Sequence, residues 1–200
     1  MPVTYPCELT QTFCGLTEVK RFLGFAGITD HDLVLDDLLY EITSDFQNYM
    51  DRYIFMNDWA EKFDIETKEE ACVQLKEYPI VSVAGLTDSS LTLESDDYMV
   101  YEETGQICLD GYYFTKGRQT VEISYQAGYC VECIPPKLCS ALKMEIADRF
   151  AIRQSGNLSY EKIGDYAYRR DMHESTASLE THGFSSRVRR ILDYFRDGAV

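Results

Sequence analysis

The chain has 200 residues, 45% of them hydrophobic and 26% charged, which is ordinary for a globular fold with a core of its own. Its net charge is −15, and surplus negative charge repels nucleic-acid phosphates, which argues against sequence-specific DNA binding. No stretch approaches the roughly 20 apolar residues of a membrane span. The opening Met1-Pro2-Val3-Thr4-Tyr5-Pro6 lacks the basic and apolar parts of a signal peptide, so no membrane role is expected and the expected setting is a cytoplasm or a particle assembled there.

The charge is uneven. Up to Ile134 the chain has 25 acidic and 8 basic residues, a net of −17; from Pro135 onward it has 9 acidic and 11 basic, a net of +2. The odd count of seven cysteines and their irregular spacing predict reduced thiols packed as small hydrophobes. Cys130 and Cys133 form a lone C-x-x-C, and a zinc site there would need Cys139 and one further ligand that the sequence does not supply nearby.

In chain order, residues 17–23 read as a short helix, with Val19, Phe22 and Leu23 on one stripe. The strongest helical signal runs over residues 31–54, roughly 36 Å at 1.5 Å per residue. Thr29 and Asp30 offer N-cap chemistry, and Leu35, Leu38, Leu39, Ile42, Phe46, Tyr49, Met50 and Tyr53 recur at three- and four-residue steps. The other face carries Asp32, Asp36, Asp37, Glu41 and Asp51. Trp59, just beyond, reads as a core anchor.

From residue 72 the period changes. Strands are predicted at residues 72–76, 80–86, 98–101, 106–109 and 119–125, with Gly105 in the hairpin turn between the third and fourth. Pro135-Pro136 opens a core helix with Leu138, Leu142, Ile146 and Phe150 at four-residue steps. Residues 156–184 have little apolar periodicity, and so long an irregular segment is usually functional or ordered by a partner. A last helix, over residues 185–197 and capped by Ser185 or Ser186, sets Val188, Ile191, Leu192 and Phe195 against Arg187, Arg189, Arg190 and Arg196. The expected fold is α+β and mainly helical: one domain, a helix bundle (residues 16–56 and 135–155) with a small antiparallel β element inserted over residues 72–126.

Chemistry is hard to find. Asp30-His31-Asp32 with Asp36 and Asp37 resembles a metal cluster, but the remaining histidines, His173 and His182, fall in the irregular segment, and helix capping explains the cluster better. There is no G-x-S-x-G elbow, no cysteine with a nearby histidine base and no phosphate loop. The reading is therefore of a non-enzyme with no cofactor, no metal and no catalytic residue.

Several motifs in order resemble the head-tail connector (head-completion adaptor) family of tailed bacteriophages and gene transfer agents. They are Leu16-Thr17-Glu18-Val19-Lys20-Arg21-Phe22-Leu23 before the acidic helix, then Leu75 to Val83 with Pro79, Ile80 and Ser82, then Asp97-Tyr98 with Gly105-Gln106-Ile107. Next come Tyr125-Gln126-Ala127-Gly128-Tyr129, then Ile134-Pro135 into a helix, and lastly Lys162-Ile163-Gly164-Asp165-Tyr166. Beyond Met172 no likeness is seen.

The resemblance implies a virion protein of the neck, assembled in the host cytoplasm as a ring of about a dozen copies. Such a ring joins the portal protein to a stopper or tail-completion protein, and double-stranded DNA passes through it without sequence-specific binding. In that frame Asp32, Asp36, Asp37 and Glu41 are expected to face the DNA channel. Arg187, Arg189, Arg190, Phe195 and Arg196 are expected to dock on the portal or a neighbouring copy, so deleting residues 185–200 should abolish docking yet leave the subunit folded. The charge alone also fits an acidic soluble binding protein such as a DNA mimic.

Overall fold

The computed structural model describes residues 11–154, 160–163, 166–169 and 183–196. They fall into two compact units, a helical one from residues up to Asp51 and from Ile134 to the last described residue, and a β unit over residues 52–133.

In the helical unit α1 (Leu16–Leu23) and α2 (Asp32–Met50) precede the β unit, and α3 (Pro136–Gln154) and α4 (Ser186–Arg196) follow it. The predicted apolar stripe of α2 is its core face, with Leu35, Leu38, Leu39, Ile42 and Phe46 each at most 1% exposed. Neither Thr29 nor Asp30 caps the helix. The His31 carbonyl accepts the Leu35 N–H at 2.9 Å, and no side chain bonds the first turn. The helix also stops short of residue 54, because Asp51 takes a left-handed conformation (φ 51°) that ends the ladder. The core spacing read for α3 holds, with Leu138, Leu142 and Ile146 fully buried. Ser185 caps α4, its Oγ accepting the Val188 N–H at 3.4 Å.

The β unit holds β1 (Asn57–Ile65), β2 (Cys72–Gln74), β3 (Ile80–Asp88), β4 (Leu91–Leu93), β5 (Tyr98–Tyr101), β6 (Gln106–Leu109) and β7 (Gly117–Ala127). They form two antiparallel sheets, ordered β1-β7-β3-β4 and β2-β6-β5. The inner faces of both contribute to one core, in which Leu86, Val121 and Ile123 of the first meet Ile107 and Val73 of the second.

The expectation of a mainly helical chain is therefore corrected: four α-helices stand beside nine strands among the described residues, the last two being β8 (Tyr160–Ile163) and β9 (Tyr166–Arg169). The longest strand not predicted is β1. Its sequence Asn-Asp-Trp-Ala-Glu-Lys-Phe-Asp-Ile is rich in charge, yet it alternates outward Asp58, Lys62 and Asp64 with inward Trp59, Phe63 and Ile65. Within the segment expected to be irregular, β8 and β9 pair antiparallel from Tyr160↔Arg169 to Ile163↔Tyr166; Gly164, Asp165, His173 and His182 lie outside the described residues. No helix among them is long and apolar enough to cross a membrane.

Four cysteines depart from the expected free thiols. Cys72 and Cys108, directly opposed on β2 and β6, are disulfide-bonded, and Cys130 is bonded to Cys133 across a single 3-10 turn. Opposed strand positions bring Cβ atoms into bonding reach, which irregular sequence spacing does not reveal. Cys14 and Cys139 are free; burial pushes the Cys14 thiol up to about 12, and the Cys139 thiol donates to the Phe13 carbonyl at 2.9 Å. Both pack as the small hydrophobes expected.

Candidate assembly surfaces

The acidic strip of α2 is divided by its neighbours. Asp32 pairs with Lys20 of α1 at 2.6 Å, and Glu41 pairs with Arg149 of α3 at 2.8 Å and with Arg153 at 3.8 Å. Asp36 and Asp37 remain exposed, with no ion pair among the described residues. His31, at the head of the strip, is wedged between the Phe25 and Phe150 rings at 5.4 and 5.2 Å, so packing accounts for it.

Arg149 is a hub that the sequence reading passed over. Its Nη1, Nη2 and Nε reach Glu41 at 2.8 Å, Asp45 at 2.9 Å and Glu145 at 3.0 Å. Glu145 is 4% exposed, and its burial raises its pKa against the pull of Arg149. The i, i+4 step from Glu145 to Arg149 was the available signal. Arg149→Met leaves a buried carboxylate without its cation; because the guanidinium is 22% exposed, the expected loss is about 2 kcal/mol. Urea unfolding should show that loss reduced in the Arg149→Met, Glu145→Met pair. Alongside the hub, Asp45, Asn48, Tyr49, Phe184 and Gly183 line an open cleft of about 350 Å³.

The arginines of α4 separate into two groups. Arg187, Arg190 and Arg196 are exposed, although Arg196 pairs with Asp193 at 3.2 Å and lies over the Tyr49 ring, and Arg189 is half-buried. Phe195 is 9% exposed and Val188 and Leu192 are 0%, so these are core residues and Phe195 is not a free docking side chain. Removing residues 185–200 would strip Val188, Leu192 and Phe195 from that core, so such a truncation is expected to destabilise the helical unit as well as any docking.

The β unit carries a buried polar junction where the chain enters and leaves it. Arg52 (4% exposed) stacks on the Tyr78 ring at 3.4 Å and donates to the Tyr78 carbonyl. Glu77 (1% exposed) accepts the Tyr53 N–H at 2.9 Å, and burial raises its pKa to about 7. The Tyr125 hydroxyl donates to Glu61 and accepts the Glu77 N–H at 3.3 Å. Burial, then the Glu61 carboxylate, pushes the Tyr125 pKa well up, so the phenol stays a donor.

Neither protein-family models nor curated protein sequences match the chain. Solved structures do. A chain from the neck of an empty gene transfer agent (GTA) particle, computed with C6 symmetry, aligns with a TM-score of 0.54 at 15% identity over 94% of this chain and 93% of its own. A chain from the virion of a native GTA particle aligns with a TM-score of 0.55 at 15% identity over 98% and 95%. One from a native GTA neck computed with C12 symmetry aligns with a TM-score of 0.51 at 12% identity over 94% and 95%.

The fold is that of GTA neck chains. At these identities fold alone is shared, and it agrees with the likeness to head-tail connectors seen in the sequence.

In this GTA-neck fold most of the motif residues gather at one place. The Tyr78-Pro79 peptide is cis, and the Pro79 carbonyl accepts the Gly128 N–H at 2.9 Å. Tyr129 bridges Phe55 in parallel, its N–H donating to Ile54 at 2.8 Å and its carbonyl accepting the Met56 N–H at 2.9 Å. Gly105, at φ 74°, sets its α-carbon so close to Tyr78 that a methyl there would sit 3.0 Å from the Tyr78 Cβ. Tyr98 is half-buried at the start of β5, and Pro135 accepts the Leu138 N–H that opens α3. In these roles the motif residues bind and shape the fold, and no ligand contact is needed to account for them.

Proposed function

We propose that the chain is a structural neck subunit of a tailed phage or GTA-like particle, present in several copies as a ring that joins the portal to the stopper or tail and encloses the DNA path. The observation that carries this reading is the fold match, in which this chain and the GTA chains cover each other over nine-tenths of their lengths. Support comes from neighbours computed with C6 and C12 symmetry, and from a chain whose two ends differ in charge, which suits the heterologous contacts of a closed ring.

The subunit catalyses nothing in this account. Asp36 and Asp37, the unpaired part of the acidic strip, face the channel, where carboxylates let phosphates slide past instead of holding them. Asp36→Lys with Asp37→Lys is then expected to leave the ring intact and slow DNA release from particles. Ring formation with unchanged release would place these residues on another wall.

Cells producing the particle without this chain should accumulate packaged heads that lack tails and lose their DNA. Normal tailed particles from such cells would reject the reading.

A further inference from the structure

The outer face of the β2-β6-β5 sheet carries exposed side chains, Gln74, Met99 and Tyr101, beside the buried Cys108. The register puts Gln74 and Cys72, Gln106 and Cys108, and Tyr101 and Met99 on one side, while Val73, Ile107, Leu109 and Val100 turn to the core. Met99 and Tyr101 are 50% and 47% exposed, and the Cys72–Cys108 disulfide lies between opposed positions of this same face. Apolar side chains standing open on an edge strand are an association hazard unless something covers them.

The rim of that face is acidic. Glu102 and Glu103 in the β5-β6 turn and Asp110 after β6 are exposed, and Glu102 and Glu103 have no ion pair among the described residues. The β unit as a whole has 16 acidic and 6 basic residues over positions 52–133. An apolar helix face would leave those carboxylates unmatched, whereas a basic and aromatic one would match both parts.

Such a surface exists on the same chain. Arg187, Arg190 and Tyr194 lie at i, i+3 and i+7 on α4, opposite the buried Val188, Leu192 and Phe195. All three are exposed, and Arg187 and Arg190 have no ion pair among the described residues. Tyr194 presents its ring beside Lys137, whose Nζ lies 4.6 Å from the ring centroid, adding a third cation to the stripe.

We infer that the outer face of the β2-β6-β5 sheet of one copy receives the Arg187, Arg190 and Tyr194 stripe of the next copy's α4. This deepens the neck reading and rests on it. Glu102 and Glu103 pair with the two guanidinium groups, Tyr101 offers a ring face to one of them, and Met99 meets Tyr194. The two patches differ, so the contact is head-to-tail, the type that closes into a ring when the rotation permits.

Charge exchange tests the pairing. Glu102→Arg with Glu103→Arg gives a chain with two basic patches, and Arg187→Glu with Arg190→Glu gives one with two acidic patches. Each alone is expected to associate about tenfold or more weakly than the parent chain under conditions where the parent forms rings. An equimolar mixture is expected to recover rings of alternating copies, counted by native mass spectrometry. Single variants that assemble like the parent, or a mixture that stays dispersed, overturn the inference while the neck reading stands.

A photoreactive benzoylphenylalanine in place of Tyr101, in rings formed with isotope-labelled copies, should join to labelled residues 186–196. Adducts only to portal peptides, or to another part of the neighbour, also overturn it. A parent chain that forms no ring with or without portal removes the neck reading and this inference together.

Discussion

Gly128→Ala is expected to destabilise the β unit by about 3 kcal/mol or more. Gly128 has φ +109°, a conformation that L side chains rarely adopt, and a Cβ would lie 2.5 Å from the Phe55 carbonyl oxygen and 2.9 Å from the Met56 nitrogen. Both obstacles are backbone, so no rotamer change relieves them. Moving the backbone would break the bond from the Gly128 N–H to Pro79 and the Phe55–Tyr129 bridge that ties the incoming chain to the outgoing one. The single tryptophan, Trp59, sits in this unit, so its fluorescence during urea unfolding reports the effect. Gly85→Ala, with nothing within 4 Å of its Cβ and no positive φ, is the control and should cost far less. In the proposed ring the glycine of the Tyr-x-Ala-Gly-Tyr motif would act through the fold, and a Gly128→Ala chain is then expected to fail to form rings although it changes no surface side chain.

The β unit is also expected to lose stability as pH rises through the range in which Glu77 ionises. Its pKa is raised from 4.5 to about 7 in the folded chain, first by burial and against the pull of Arg52 and the Tyr53 N–H. A carboxyl whose folded pKa lies above its unfolded value favours folding most while protonated. Its contribution is complete below about pH 4.5 and is lost as pH climbs to about 7, a change of about 3 kcal/mol for a shift of this size. Glu77→Gln keeps an acceptor for the Tyr53 N–H and cannot ionise. Trp59-monitored unfolding at pH 4.5, 6 and 8 should therefore show the parent falling relative to Glu77→Gln across that window. Parallel curves for the two chains would mean that Glu77 carries its charge in the fold at little cost.

The helices were legible because their signal is local. The three- and four-residue steps of α2 and α3 give both the elements and their buried faces, and of the two caps the sequence offers for α4, Ser185 and Ser186, the first accepts the Val188 N–H. Less local features were missed. The end of α2 depends on one left-handed aspartate, Asp51, which in sequence is just another acid on the helix face. The strand β1 hides its period of two behind Asp58, Lys62 and Asp64, and shows it only when Trp59, Phe63 and Ile65 are paired across to β7. The polar junction joins Arg52, Glu61, Glu77 and Tyr125 from four separate stretches, and the two disulfides and the Arg149 hub likewise depend on which elements become neighbours.

The candidate surfaces show the same division. That α2 would be acidic and α4 basic was plain in the residues. Which charges stay available was not, because that depends on Lys20 reaching Asp32 and on Arg149 and Arg153 reaching Glu41. Phe195, grouped with the arginines as a docking residue, follows Val188 and Leu192 on the buried stripe, whose spacing already separated it from Arg187 and Arg190.

The central claim is that this chain is a ring-forming neck subunit, and electron microscopy of the purified chain mixed with its cognate portal tests it most directly. The account predicts closed rings stacked coaxially on the portal, with a symmetry compatible with the C6 or C12 of the GTA necks. A chain that leaves the portal bare and remains a monomer or dimer, competing with DNA for a basic protein, would contradict it and favour the acidic DNA mimic.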